Sequence, residues 1–170
     1  PCPLTDAGRD QARALGEALA GEPIELCAVT EFGRTRETAE LALAGRDVPL
    51  LVVPELGDPR VGSFEGRPTA EYGEWIWPRG PLDAPPGGEH RAELAARYAR
   101  GLRLLLDRPE ATVLHVGHAH PLAYLRDALV GRAPSSRIEA PAHAEATRVG
   151  AGELRAAVEL LEAWAAAPAF

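Results

Sequence analysis

The chain has 170 residues, 46% of them hydrophobic and 25% charged, and a net charge of −7, which predicts a single domain over 1–170 with a real core. Every one of the 18 basic residues is arginine, and they are scattered rather than gathered in a stripe, so the balance argues against a nucleic-acid partner. No apolar run reaches the ~20 residues of a membrane span, no signal peptide is visible, and Cys2 and Cys27 are too few for a disulfide framework. The expectation is two free thiols, no membrane partner and a cytoplasmic location.

In chain order, Leu4 to Ala12 reads as a helix start, with Thr5 as N-cap, Asp6 at the positive end of the helix dipole, and Ala12, Leu15, Ala18 and Leu19 on one face. Gly21 and Pro23 stop it. Ile24 to Thr30 is a short apolar run, read as a buried strand. Arg34 to Leu43 returns to helical periodicity. Val48 to Val53 is a second strand rich in β-branched residues.

Pro54 to Gly88 is a long irregular excursion, read as a loop or lid, within which Thr69 to Trp75 has helical character. Its aromatic residues Tyr72, Trp75 and Trp77 fit either a cover over a site or ordinary packing under a loop. Glu89 to Leu106 is an amphipathic helix, Thr112 to Val116 a third strand, and Pro121 to Val130 a helix. Ala144 to Val149 reads as an edge strand, and Glu153 to Ala165 as the closing helix. Strands alternating with helices predict a three-layer α/β/α sandwich with a mostly parallel central sheet.

Three segments can carry chemistry. Arg34 opens a helix just past the end of a buried strand, where α/β sheets bind ligands and a helix N-terminus favours anions. A guanidinium there can grip a phosphate through two parallel hydrogen bonds. Taken alone, Arg34 and Arg36 fit solvated first-turn charges better than a phosphate grip. His118 follows the third strand through Gly117 and precedes a helix, so it shares a sheet edge with Arg34. Glu55 to Arg67 gathers several acids in a glycine-rich loop, and a carboxyl near a phosphate site can protonate a leaving alkoxide. His115, His118 and His120 have the spacing of a metal cluster. However, His115 lies inside the strand and His118 past it, and no further ligand follows, so no metal is expected.

Taken in order, these pieces resemble the histidine phosphatase (phosphoglycerate-mutase-like) superfamily. Leu4, Thr5, Gly8, Gln11 and Ala12 match its first helix start. Arg34, Thr38 and Ala39 match its arginine before threonine-alanine. Gly62, Phe64, Glu65 and Gly66 match its glycine-x-aromatic-glutamate-glycine loop, and Gly87, Gly88 and Glu89 its glycine-glycine-glutamate step. Val113 to Val116 and His118 match its hydrophobic strand running into histidine.

The resemblance implies a phosphate-monoester hydrolase working through a phosphohistidine, with a small phosphorylated substrate and no cofactor. Arg34 takes the place of the second phosphate-holding arginine and His118 that of the second histidine. Asp58, four residues before Gly62, takes the place of the catalytic acid, where glutamate is commoner. Ala119 stands where glycine often follows the histidine. The arginine-histidine-glycine motif that would carry the nucleophile is not among the 170 residues. The chain opens on Pro1-Cys2-Pro3 without Met, and loss of a central strand would bare two strand edges. The expectation is therefore that the intact protein carries that strand upstream. Within the same superfamily the alternative is a phosphoglycerate mutase. A chain truly starting at Pro1 would instead be an inactive phosphate-binding domain. The oligomeric state stays open, a dimer among the options.

Overall fold

A computed structural model describes residues 3–169, so Cys2 lies outside the described residues. Three strands, β1 (Leu26–Val29), β2 (Leu50–Val52) and β3 (Val113–His115), form a parallel sheet in the order β2-β1-β3. Cys27 faces Leu50 on one side and Leu114 on the other. Among the described residues there are six α-helices: α1 (Asp6–Ala18), α2 (Gly33–Ala42), α3 (Thr69–Ile76), α4 (Arg91–Leu106), α5 (Ala119–Leu129) and α6 (Ala151–Ala166).

The alternation of a strand explains the layering. All four residues of β1 are buried, and successive side chains point to opposite faces. Cys27 and Val29 pack with Leu15, Leu19, Ala39 and Leu43 of the α1–α2 layer. Ala28 packs with Tyr98, Leu102, Tyr124 and Leu161 of the α4–α5–α6 layer. Two cores on two faces make the expected α/β/α sandwich. Burial raises the Cys27 thiol to about 12, so it stays protonated and inert.

Helix boundaries follow their caps. The Thr5 hydroxyl accepts the Gly8 N–H at 3.1 Å, as its N-cap role predicts. Ala12, Leu15 and Leu19 are buried, but Ala18 is exposed, one position off the apolar stripe. α4 begins at Arg91 rather than Glu89 because His90 is its N-cap. The His90 ring accepts the Glu93 N–H, and the Glu93 carboxylate accepts the His90 N–H.

The 54–88 excursion is more ordered than a bare loop. It holds 3-10 turns at Pro54–Leu56 and Gly62–Phe64, then α3. Its neck closes where the Ser63 N–H donates to the Pro86 carbonyl and the Glu89 N–H to the Arg60 carbonyl. Gly62 sits at φ +53°, and any Cβ there would come within 2.3 Å of the Pro86 oxygen, so only glycine fits this crossing. Tyr72 and Trp75 both pack on Phe64, with ring centroids 5.8 and 5.7 Å away.

One expected element is missing. Residues 144–149 form no strand. Ala144 has φ +55°, which breaks an extended run, and residues 142–148 are exposed. The alternation of small and polar residues there had the right period, but a strand also needs a partner edge for its backbone groups.

Leu161 is fully buried between α6 and the helices beneath it. Leu161→Ala is expected to destabilise the fold by about 2–5 kcal/mol. Urea unfolding should show a lower midpoint with an unchanged slope.

Candidate active site

Parallel strands bring their carboxyl ends to one side of the sheet, and the two segments that follow β1 and β3 meet there. The β1–α2 connection presents Thr30, Phe32 and Arg34. The β3–α5 connection presents Gly117 and His118, with the Val116 N–H still bonded to the Ala28 carbonyl at 2.9 Å. Gly117 is required by close approach: a Cβ there would meet the His115 ring at 2.6 Å.

Arg34, Asp58 and His118 come together in a cleft of about 500 Å³. The Arg34 Nη2 donates to Asp58 Oδ2 at 2.5 Å and lies 3.0 Å from His118 Nδ1. His118 Nδ1 is also 3.2 Å from Asp58 Oδ2. Arg34 stacks over the Phe32 ring at 4.5 Å, and Phe32 meets the His118 ring edge-on at 4.9 Å. Arg36, by contrast, is exposed. Of the acids in Glu55 to Arg67, Asp58 alone lines the cleft. Tyr72, Trp75 and Trp77 do not line it; Trp77 lies under Arg137, 4.8 Å from its guanidinium.

His118 is buried, with 5% of its surface exposed, and its protonation follows from its neighbours. Burial lowers its pKa below the usual histidine value; Arg34 adds to this, while Asp58 and Glu31 oppose it. A guanidinium can only donate, so in the neutral ring Nδ1 accepts from Arg34 and Nε2 carries the proton. Nε2–H then donates to Thr30 Oγ1 at 2.8 Å. The Thr30 hydroxyl passes to Thr35 Oγ1 at 3.1 Å, and Thr35 donates to the Phe32 carbonyl at 2.9 Å. Every polar atom in this buried relay is satisfied.

The sequence had not marked Thr30, Thr35 or Phe32 as site residues. The available signal was a threonine closing an apolar strand, with a second threonine five residues on. His115 and His120 do not join the site as ligands. The His115 ring lies beneath Gly117 with Nε2 buried and unpartnered. His120 sits on the first turn of α5, and burial lowers its pKa. Among the described residues no group of three or more histidine, cysteine or carboxylate side chains is placed to hold a metal ion. His143 lies on the cleft wall formed by residues 141–146, and His90 caps α4.

The model of the histidine phosphatase superfamily (branch 1) matches residues 1–162. This chain belongs to that superfamily. It is similar to the adenosylcobalamin/alpha-ribazole phosphatase of Salmonella typhimurium, at 42% identity over 67 residues, covering 39% of this chain and 33% of that protein. It is also similar to the "Probable phosphoglycerate mutase GpmB" of Photorhabdus laumondii, at 31% identity over 153 residues, covering 84% of this chain and 66% of that one. The chain thus spans a third to two thirds of the length of these relatives. The alpha-ribazole phosphatase structure from Shigella flexneri superposes with a TM-score of 0.68 at 28% identity, covering 78% of this chain and 69% of that one. The histidine phosphatase fold expected from the motifs is the fold observed.

Two outcomes follow from the site. The His115 pKa falls from 6.5 to about 4 through burial, and those of His118 and His120 fall in the same direction. The unfolded chain therefore takes up these protons first as the pH drops. The stability these groups contribute is complete above pH 6.5 and is lost toward pH 4. Melting temperature should fall steadily across that window, and His115→Leu should flatten the slope. Separately, Thr30→Val should destabilise by about 1–3 kcal/mol by leaving the buried His118 Nε2–H without its acceptor, while Arg34 still holds Nδ1 as an acceptor. Thr30→Ser should keep the Nε2–H form, as read by ¹⁵N NMR of the imidazole.

Proposed function

We propose that this protein is a phosphatase that hydrolyses small phosphate monoesters through a phosphohistidine, without metal or cofactor, in a reducing cytoplasm. The observation that carries the reading is the convergence of a guanidinium, an imidazole and a carboxyl on one cleft at the carboxyl end of a parallel sheet. The relatives with phosphatase names support the same chemistry.

A phosphoryl group in transfer spreads negative charge over three oxygens, and fixed cationic donors stabilise it. Arg34 supplies such donors from the first turn of α2. Its Nη2 is engaged by Asp58, so an incoming phosphate exchanges one anion for another without baring the guanidinium. His118 must then turn from acceptor to donor. Its relay permits this, because each threonine hydroxyl both donates and accepts. If Thr35 donates to Thr30 and Thr30 donates to Nε2, the ring presents Nδ1–H to a phosphoryl oxygen.

Asp58 is assigned the proton transfers. As the P–O ester bond breaks, the carboxylic acid gives its proton to the leaving alkoxide. As water attacks the phosphohistidine, the carboxylate takes a proton from that water. The nucleophilic histidine is not supplied by any residue of the described site.

The test is turnover of p-nitrophenyl phosphate by the full-length gene product, with free phosphate measured directly. Arg34→Ala and His118→Ala should each lower kcat/KM by about 10²–10³. Turnover indifferent to both changes would remove these residues from the site. Phosphate passed to an added alcohol rather than to water would mark a mutase. Phosphate binding with no turnover would mark a binding domain.

A further inference from the structure

Asp58 stands on an irregular segment, yet its carboxyl must be aimed to within a fraction of an ångström to serve as an acid. The device that aims it is Arg97 of α4 together with Glu89, two residues before that helix begins. Arg97 and Glu89 form a bidentate ion pair, Nε to Oε2 at 3.0 Å and Nη2 to Oε1 at 2.6 Å, with only 5% and 9% of the two residues exposed. A guanidinium has five N–H donors. Arg97 sends the other three to the backbone carbonyls of Glu55 at 2.7 Å, Gly57 at 3.2 Å and Asp58 at 3.0 Å. Glu89 Oε1 in turn accepts the Arg60 N–H at 2.9 Å, and the Glu89 N–H donates to the Arg60 carbonyl at 3.0 Å.

Residues 55–60 are therefore tied down at four points, and Asp58 is bracketed by them. A buried ion pair is weak support for stability, because desolvation offsets the attraction. It does specify geometry, since all five donors are satisfied in one arrangement only. No substrate atom needs to touch it: neither Arg97 nor Glu89 lines the cleft that holds Arg34, Asp58 and His118.

We propose that Arg97 and Glu89 are positioning residues for the proton transfer at Asp58. This inference rests on the phosphatase reading above. It predicts a signature in the leaving group. A p-nitrophenolate departs without a proton, whereas an alkoxide does not. Water attack on the phosphohistidine is common to both substrates, but kcat/KM reports the earlier step in which the leaving group departs, and there a misaimed acid should harm only the second kind of substrate.

The experiment compares glycerol 2-phosphate with p-nitrophenyl phosphate for the full-length wild type, Asp58→Asn, Arg97→Lys and Glu89→Gln. Lysine keeps the charge but has three donors and no fork. Arg97→Lys and Glu89→Gln should lower kcat/KM on the alkyl ester by about 30-fold or more, and kcat/KM on the aryl ester by less than about threefold. Retained aryl turnover shows that each variant is folded with its phosphate site intact. Asp58→Asn should show the same split in kcat/KM more strongly, together with a fall in kcat on both esters, because the water-attack step also loses its base. If Asp58→Asn discriminates between the esters and neither pair variant does, the positioning role is wrong while the phosphatase reading stands. Equal loss on both esters, by unfolding or otherwise, assigns the pair to stability and likewise overturns it. A wild type that hydrolyses neither ester overturns the function and this inference together.

Discussion

A four-residue strand buried on both faces sets the terms for everything around it. β1 has no solvent side, so alternate residues must satisfy opposite layers, and its polar end must be satisfied internally. Thr30 is that end, with 2% of its surface exposed. Its hydroxyl pairs with the His118 ring, in the segment after β3, and with the Thr35 hydroxyl, on the first turn of α2, which follows β1. The need to pair one buried hydroxyl thus couples two loops that are 88 residues apart in the chain. The ring it fixes is the one that faces Arg34 and Asp58.

Local signals in the sequence revealed most of the fold. Thr5, Asp6 and the spacing of Ala12, Leu15 and Leu19 gave the first helix because a cap and a 3.6-residue period are local properties. β1 was readable because an apolar run bounded by Pro23 and Thr30 is too short for a buried helix. The candidate site was readable at Arg34 and His118 through position, each being just past a strand end. Asp58 came from the family pattern alone. Nothing in its immediate neighbours separates it from Glu55 or Glu65, and its distinction is the 2.5 Å contact to Arg34.

What stayed hidden depends on distant partners. Arg97 is one arginine of several on an amphipathic helix, and its burial reverses the usual expectation for a charged residue. Only the arrival of three carbonyls and Glu89 makes that burial possible, and none of these is near it in helical register. The segment 144–149 failed in the opposite way. Its alternating pattern is compatible with a strand, but pairing is a property of two edges, and here the chain takes a left-handed turn at Ala144 instead.

The closed neck of the 54–88 excursion has a consequence for how this architecture can vary. Residues 60–63 and 86–89 touch, so the chain leaves and returns at nearly one point. Asp58 lies on the sheet side of that crossing, while α3 and its aromatic cluster lie beyond it. The stretch between is therefore an exchangeable cassette. It can lengthen, shorten or take on new aromatic residues while the acid and its tether are inherited unchanged, because closing a longer loop adds little entropy. Diversity in this excursion and constancy in the chemistry of the cleft can then evolve separately, with Gly62 as the seam between them.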